Sequence, residues 1–199
     1  MQWYEQEVQE AEQQRLKCTY DPETIFYGSS TIRLWKSLCN DFKEYKPVNL
    51  GFGGSTLAAC VWFFERLVAP LTQAKKIIVY AGDNDLGDGR HPEEVYIFYC
   101  QFINTLRTYF KTIPLYFVSI KPSIDRADIL DKIIYTNQLI AAEINKSSGS
   151  ETYINVFDKM ITGNGEPMHH LFEADGLHLN KKGYALWKEI IAKECLATV

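Results

Sequence analysis

Five short apolar runs constrain this chain more than any other feature. They fall at 24–27, 47–50 ("PVNL"), 76–81 ("KIIVYA"), 114–120 ("PLYFVSI") and 152–157 ("TYINVF"), and they are nearly continuous rather than alternating. A strand with one wet face alternates apolar and polar residues, whereas a strand covered on both faces reads as an unbroken run. Between these runs lie segments with apolar residues three and four apart. In 92–111, Val95, Phe98, Phe102, Leu106 and Tyr109 keep that spacing after a first turn of Pro92 and two acids. Residues 56–73 pattern through Leu57, Val61, Phe64 and Leu67, 128–146 through Ile129, Ile133, Asn137, Ile140 and Ile144, and 181–197 through Tyr184, Trp187, Ile190 and Ile191. Strand and helix alternate throughout, so the expected architecture is α/β: a three-layer α/β/α sandwich around a central five-stranded parallel sheet, in one domain over 1–199.

The length suffices for that, since a chain of 199 residues buries about 70% of its unfolded surface. The 21 Lys and Arg against 25 Asp and Glu give a net charge of −4 with no basic run, so nucleic acid is not an expected partner. The first residues, "MQWYEQEVQEAEQQRLK", lack the apolar centre of a signal peptide, and no run has the length of a membrane span. A cytoplasmic location without a membrane span is the expectation. The five cysteines, Cys18, Cys39, Cys60, Cys100 and Cys195, form no CxxC pair and are odd in number. They read as buried free thiols of a reducing compartment. Nothing in the pattern fixes an oligomeric state.

In an open parallel sheet, ligands bind beyond the carboxyl ends of the strands. The first run enters "TIFYGSSTIRLW", where Ser29 or Ser30 could simply cap the next helix. The second is followed by "GFGGST", which leaves backbone N–H groups uncovered before Ser55 or Thr56 as a cap; it fits neither GxGxxG nor the P-loop. The third is followed by "GDNDLGDGR" and the fifth, after a loop, by "DGLHLNKKGY". In the last segment Asp175 and His178 are three apart, close enough for the carboxylate to reach Nδ1 and leave Nε2 facing outward as a base. A serine on a strand-to-helix bend is the partner such a histidine needs. Ser30 could attack, His178 could take its proton, Asp175 could orient the ring, and the N–H groups of Ser30 and Gly54 with the Asn84 amide could bind an oxyanion.

A calcium loop is the rival for "DNDLGDGRHPEE". Asp83, Asp85, Asp88 and Glu94 take positions one, three, six and twelve of an EF-hand count, but position six should be glycine and a strand precedes the loop. His169 and His170 with Glu173 lack metal-ligand spacing and are expected to line or cover the pocket instead. Neither a metal nor a cofactor is expected.

The blocks "YGSSTIRLW", "NLGFGGST", "AGDND" and "DGLHL", in this order, resemble those of the SGNH (GDSL-type) hydrolase family. The resemblance covers nearly the whole chain and implies the flavodoxin-like form of the fold. It also implies an esterase, lipase or acylhydrolase working through a Ser-His-Asp triad and an acyl-enzyme. By it, Ser30 corresponds to the nucleophile, Gly54 and Asn84 to the oxyanion hole, and Asp175 and His178 to the DxxH pair. One departure is GSS in place of GDS; the following "TIRLW" keeps Ser30 in the family's register. The missing aspartate is not a charge-relay group. The absence of a long apolar lid-like segment points to small or short-chain esters, acetylated sugars among them, as substrates. A catalytically silent ligand-binding module on the same scaffold is the alternative, and a missing base or carboxylate would favour it. His178 serves as a base only when neutral, so activity should rise with pH.

Overall fold

In the computed structural model, which describes residues 1–147 and 149–196, the apolar runs become β1 (Thr24–Gly28), β2 (Pro47–Gly51), β3 (Lys76–Tyr80), β4 (Leu115–Val118) and β5 (Glu151–Ile154). All pair in parallel, in the order β2-β1-β3-β4-β5. That is the flavodoxin-like order, with its switch point between β1 and β3. The helices are α1 (Glu5–Leu16), α2 (Ser30–Arg33), α3 (Leu38–Asp41), α4 (Leu57–Trp62), α5 (Phe64–Leu67), α6 (Asp83–Gly87), α7 (Pro92–Tyr109), α8 (Leu130–Lys146) and α9 (Lys181–Leu196).

Successive side chains of each strand face opposite layers, and the buried residues divide accordingly. Ile25, Tyr27, Ile77, Val79, Leu115 and Phe117 join a core with α1, α4, α5, α7 and α8. Phe26, Ile78, Tyr80 and Val118 join a second core with α2, α3 and α9, centred on Trp35 and Trp187. Both faces of the sheet are therefore dry, which is why its strands read as continuous apolar runs.

The elements differ from expectation in several places, β5 among them, which ends at Ile154 where the apolar run continues to 157. The segment 56–73 is two short helices, because Phe63 leaves helical geometry (φ −94°, ψ 5°) as its ring packs edge-on against Tyr4 and Phe52. The fourth run ends its ladder early. The Ser119 hydroxyl accepts the N–H groups of Val156 and Phe157, and the Asn137 amide takes both backbone groups of Ile120. Helix α1 was not legible: only Val8 and Ala11 of its twelve residues are buried, so it carries no clear apolar stripe. The last helix is described to Leu196, so position 197 lies outside the described residues. All five cysteines are free, but the expectation that they are buried holds only for Cys60 and Cys195; Cys18 and Cys100 are partly covered and Cys39, on the short α3, is exposed. No described helix is long and apolar enough to cross a membrane.

Candidate active site at the carboxyl ends of the strands

The turn after β1 carries the first group. Gly28 has φ +135°, and a Cβ there would meet the Tyr80 carbonyl oxygen at 1.8 Å, so only glycine allows β1 to pass this close to β3. Beyond it, Ser29 N–H donates to that carbonyl at 2.9 Å and the chain turns into α2. Ser29 holds the cap position, yet its hydroxyl makes no capping bond and is fully buried without a partner. Ser30 is half-buried, and its Oγ lies 3.1 Å from Nε2 of His178. The two neighbouring serines thus have opposite fates: Ser29 faces the interior and Ser30 faces the imidazole.

His178 and Asp175 sit on the loop between β5 and α9. Asp175 Oδ2 lies 2.7 Å from His178 Nδ1, while Oδ1 accepts the N–H groups of Leu177 and His178, each at 2.9 Å. Desolvation works against the carboxylate's charge, but the imidazole and these two amides outweigh it and hold Asp175 down at about 2. The charged carboxylate fixes the ring with Nδ1 inward and Nε2 toward the serine. The loop is held in place by Gly176, whose carbonyl accepts the N–H groups of Ile124 and Asp125 from the segment after β4.

The remaining expected groups follow β2 and β3. Gly54 is exposed, with φ +67°. The Asn84 side-chain amide donates one hydrogen to the Ser55 carbonyl at 2.9 Å, which leaves its second N–H uncommitted. Neither Ser30 N–H nor Gly54 N–H has an acceptor among the described residues. Thr56, rather than Ser55, caps α4, accepting Ala59 N–H at 3.1 Å. The structure joins Ser30, His178 and Asp175 by direct hydrogen bonds and joins Asn84 to the glycine loop. The ends of β1, β2 and β3 that precede Ser30, the glycine loop and Asn84 are paired side by side.

Two groups of residues were missed by sequence reasoning. Lys121, 1% exposed at the end of the fourth run, donates to Asp83 Oδ2 at 3.1 Å and to the Tyr80 hydroxyl at 3.2 Å. Desolvation of Asp83 is outweighed by this ammonium, which keeps its carboxyl below the usual range. A lysine set directly after an apolar parallel strand was the available signal. Tyr4 and Glu7, from the unread α1 region, touch the glycine loop and left no such signal.

Three of the four acids of the supposed calcium loop are engaged separately. Asp83 pairs with Lys121, Asp85 accepts Leu57 N–H at 2.8 Å, and Glu94 caps α7 through His91 N–H. Burial pushes Asp85 up to about 6, the Leu57 amide and Arg90 offsetting this only in part. His169 and His170 are corrected: they lie on an exposed turn and do not line the groove beside His178. That groove, about 710 Å³, has Leu34, Leu179, Tyr184 and Ala185 as its apolar walls and Lys36 and Lys181 among its charged residues.

A hydroxyl, an imidazole and a carboxylate bonded in line beyond the carboxyl ends of a parallel sheet can carry out nucleophilic acyl transfer. The model of the GDSL-like Lipase/Acylhydrolase family matches residues 24–186, and the chain belongs to that family. Family membership supports ester hydrolysis in general terms. No curated protein sequence matches the chain significantly. Among solved structures it is similar to a Streptococcus pneumonia protein provisionally assigned as a platelet activating factor (18% identity, 97% of this chain and 94% of that one, TM-score 0.83). It is also similar to a GDSL-like lipase from Bacteroides thetaiotaomicron (19%, 98% and 98%, 0.78) and to the OSK domain of Drosophila Oskar (17%, 89% and 90%, 0.71). These likenesses show the shared fold.

Proposed function

We propose that the protein is a serine esterase or acylhydrolase that cleaves small or short-chain carboxylic esters, acetylated sugars among the candidates, through an acyl-enzyme. The observation that carries this reading is the line Ser30 Oγ, His178 Nε2, His178 Nδ1, Asp175 Oδ2, with separations of 3.1 and 2.7 Å at its two polar contacts. Ser30 attacks the ester carbonyl while His178 Nε2 takes its proton, and Asp175 balances the imidazolium. The N–H groups of Ser30 and Gly54 and the free N–H of Asn84 receive the developing oxyanion. His178 then gives the proton to the leaving alcohol. Water, deprotonated by the same nitrogen, cleaves the acyl-enzyme, releases the acid and restores Ser30. Because His178 must reach the leaving oxygen, the groove it lines is where we place the alcohol portion. Five free thiols suit the cytoplasmic location expected from the sequence.

The test is a series of chromogenic esters of rising acyl length beside acetylated sugars. Turnover highest at two to four acyl carbons is the expected result. A preference for long chains would overturn the substrate assignment, and no hydrolysis of any ester would favour the silent binding module.

A further inference from the structure

The family match begins at residue 24, yet the segment before it reaches the site. Tyr4 Oη donates to the Gly54 carbonyl at 3.1 Å, and Glu7 Oε2 accepts the Gly53 N–H at 2.7 Å. The same Glu7 oxygen lies 3.1 Å from Nε of Arg33, at the end of the helix that begins with Ser30. These two bonds fall on either side of one peptide unit. The Gly53 N–H precedes it and the Gly54 carbonyl follows it, and the unit between them carries the Gly54 N–H. Two consecutive glycines, Gly53 and Gly54, have little intrinsic preference for any orientation of that unit. Something outside the loop has to set it. Asn84 fastens the next carbonyl, that of Ser55, and so fixes the loop from its far end. Tyr4 is itself anchored, 7% exposed, with its ring edge-on to Phe52 and Phe63.

We infer that the amino-terminal segment is part of the active site: Tyr4 and Glu7 are positioning residues that clasp the Gly53–Gly54 peptide and aim the Gly54 N–H at the oxyanion. Through Arg33, Glu7 also ties this loop to the helix of the nucleophile. The inference rests on the ester-hydrolase reading above. An oxyanion donor stabilises the transition state more than the ester, so a clasp that only aims it should affect kcat and leave KM unchanged.

Tyr4→Phe removes one hydroxyl and keeps the packed ring; Glu7→Ala removes the acceptor; Glu7→Gln keeps an acceptor oxygen for Gly53. The measurements are kcat and KM on a short-chain ester, thermal unfolding, and amide hydrogen exchange over residues 52–56 in the full chain. For Glu7→Ala the expected results are a ~10-fold fall in kcat at constant KM and faster exchange at Gly53, with the strands as protected as in wild type. Tyr4→Phe should lower kcat about 5-fold, and Glu7→Gln should recover most of the loss, because a single neutral hydrogen bond is worth about 1 kcal/mol. Wild-type kcat in both Tyr4→Phe and Glu7→Ala, or unchanged exchange at Gly53 in Glu7→Ala, would overturn the clasp while leaving the hydrolase intact. A wild-type protein that hydrolyses no ester would instead remove the reading on which the clasp rests.

Discussion

Two pairs of a carboxylate and a basic side chain stand at the carboxyl ends of the strands, and their surroundings are opposite. Asp175 and His178 are 50% and 27% exposed in their side chains, whereas Asp83 and Lys121 are 6% and 1% exposed. A pair open to solvent contributes little to folding, because water screens it. In the proposed mechanism its partners can therefore change charge in each cycle without endangering the fold. A buried pair is the reverse. Both charges have lost their hydration, so the loss of either leaves the other uncompensated. Evolution can put a proton-transferring histidine in the first setting and a permanent brace in the second. The brace also lies next to the site, since Asp83 precedes Asn84 and its Oδ1 accepts the Asn84 N–H at 3.1 Å.

The sharpest way to break this comparison is to neutralise one carboxylate of the exposed pair. Asp175→Asn cannot balance an imidazolium and favours the wrong ring tautomer, so kcat should fall by ~10⁴. Equilibrium unfolding in urea at pH 7 should change by less than about 1 kcal/mol, as befits an exposed pair. A large loss of stability with normal turnover per folded molecule would reverse the roles assigned here. Lys121→Met should show the opposite signature, a loss of about 3–5 kcal/mol of stability, because Asp83 is left buried and unpaired. Stability within about 1 kcal/mol of wild type would mean that the buried pair is no brace.

The smallest effect concerns pH, where the acids diverge. Asp175, held at about 2 against an ordinary 3.8, contributes stability that is present above pH 3.8 and lost as pH falls through 2. Asp85, raised to about 6 from 3.8, contributes in the opposite sense: its share is complete below pH 3.8 and disappears as pH rises through 6. At about 1.4 kcal/mol per unit, Asp85 should cost up to about 3 kcal/mol between pH 4 and pH 7. Urea titrations of wild type and Asp85→Asn at both pH values check this: the wild-type decline should be the steeper. Equal declines would place the burial cost elsewhere.

The contrast between the two pairs also explains how much the sequence disclosed. The sheet was legible because two dry faces force unbroken apolar runs such as "KIIVYA". Asp175 and His178 were legible because their partnership is local, three residues apart within one turn. Ser30 was legible as a polar residue on a strand-to-helix bend, but the choice between it and Ser29 rested on register with the family blocks. In the folded chain Ser29 points inward and Ser30 toward the imidazole. Lys121 and Asp83 are 38 positions apart, and Glu7 and Gly53 are 46 apart. Contacts of that kind depend on how strands and helices stack and leave no periodic trace. Helix α1 was hidden for the same reason, since it faces the protein through Glu7, Val8 and Ala11, with Tyr4 just before it, rather than through a full apolar stripe.

The central claim is that Ser30 is the group activated by His178. The most direct measurement treats the wild-type protein and Ser30→Ala with a serine-directed fluorophosphonate, then locates the adduct by peptide mass spectrometry. A single adduct on Ser30 is expected, together with loss of esterase turnover at the same rate, and no labelling of Ser30→Ala, which should unfold at the wild-type temperature. An adduct on Ser29 or on another residue, or a Ser30→Ala protein that still hydrolyses ester at the wild-type rate, would contradict the account.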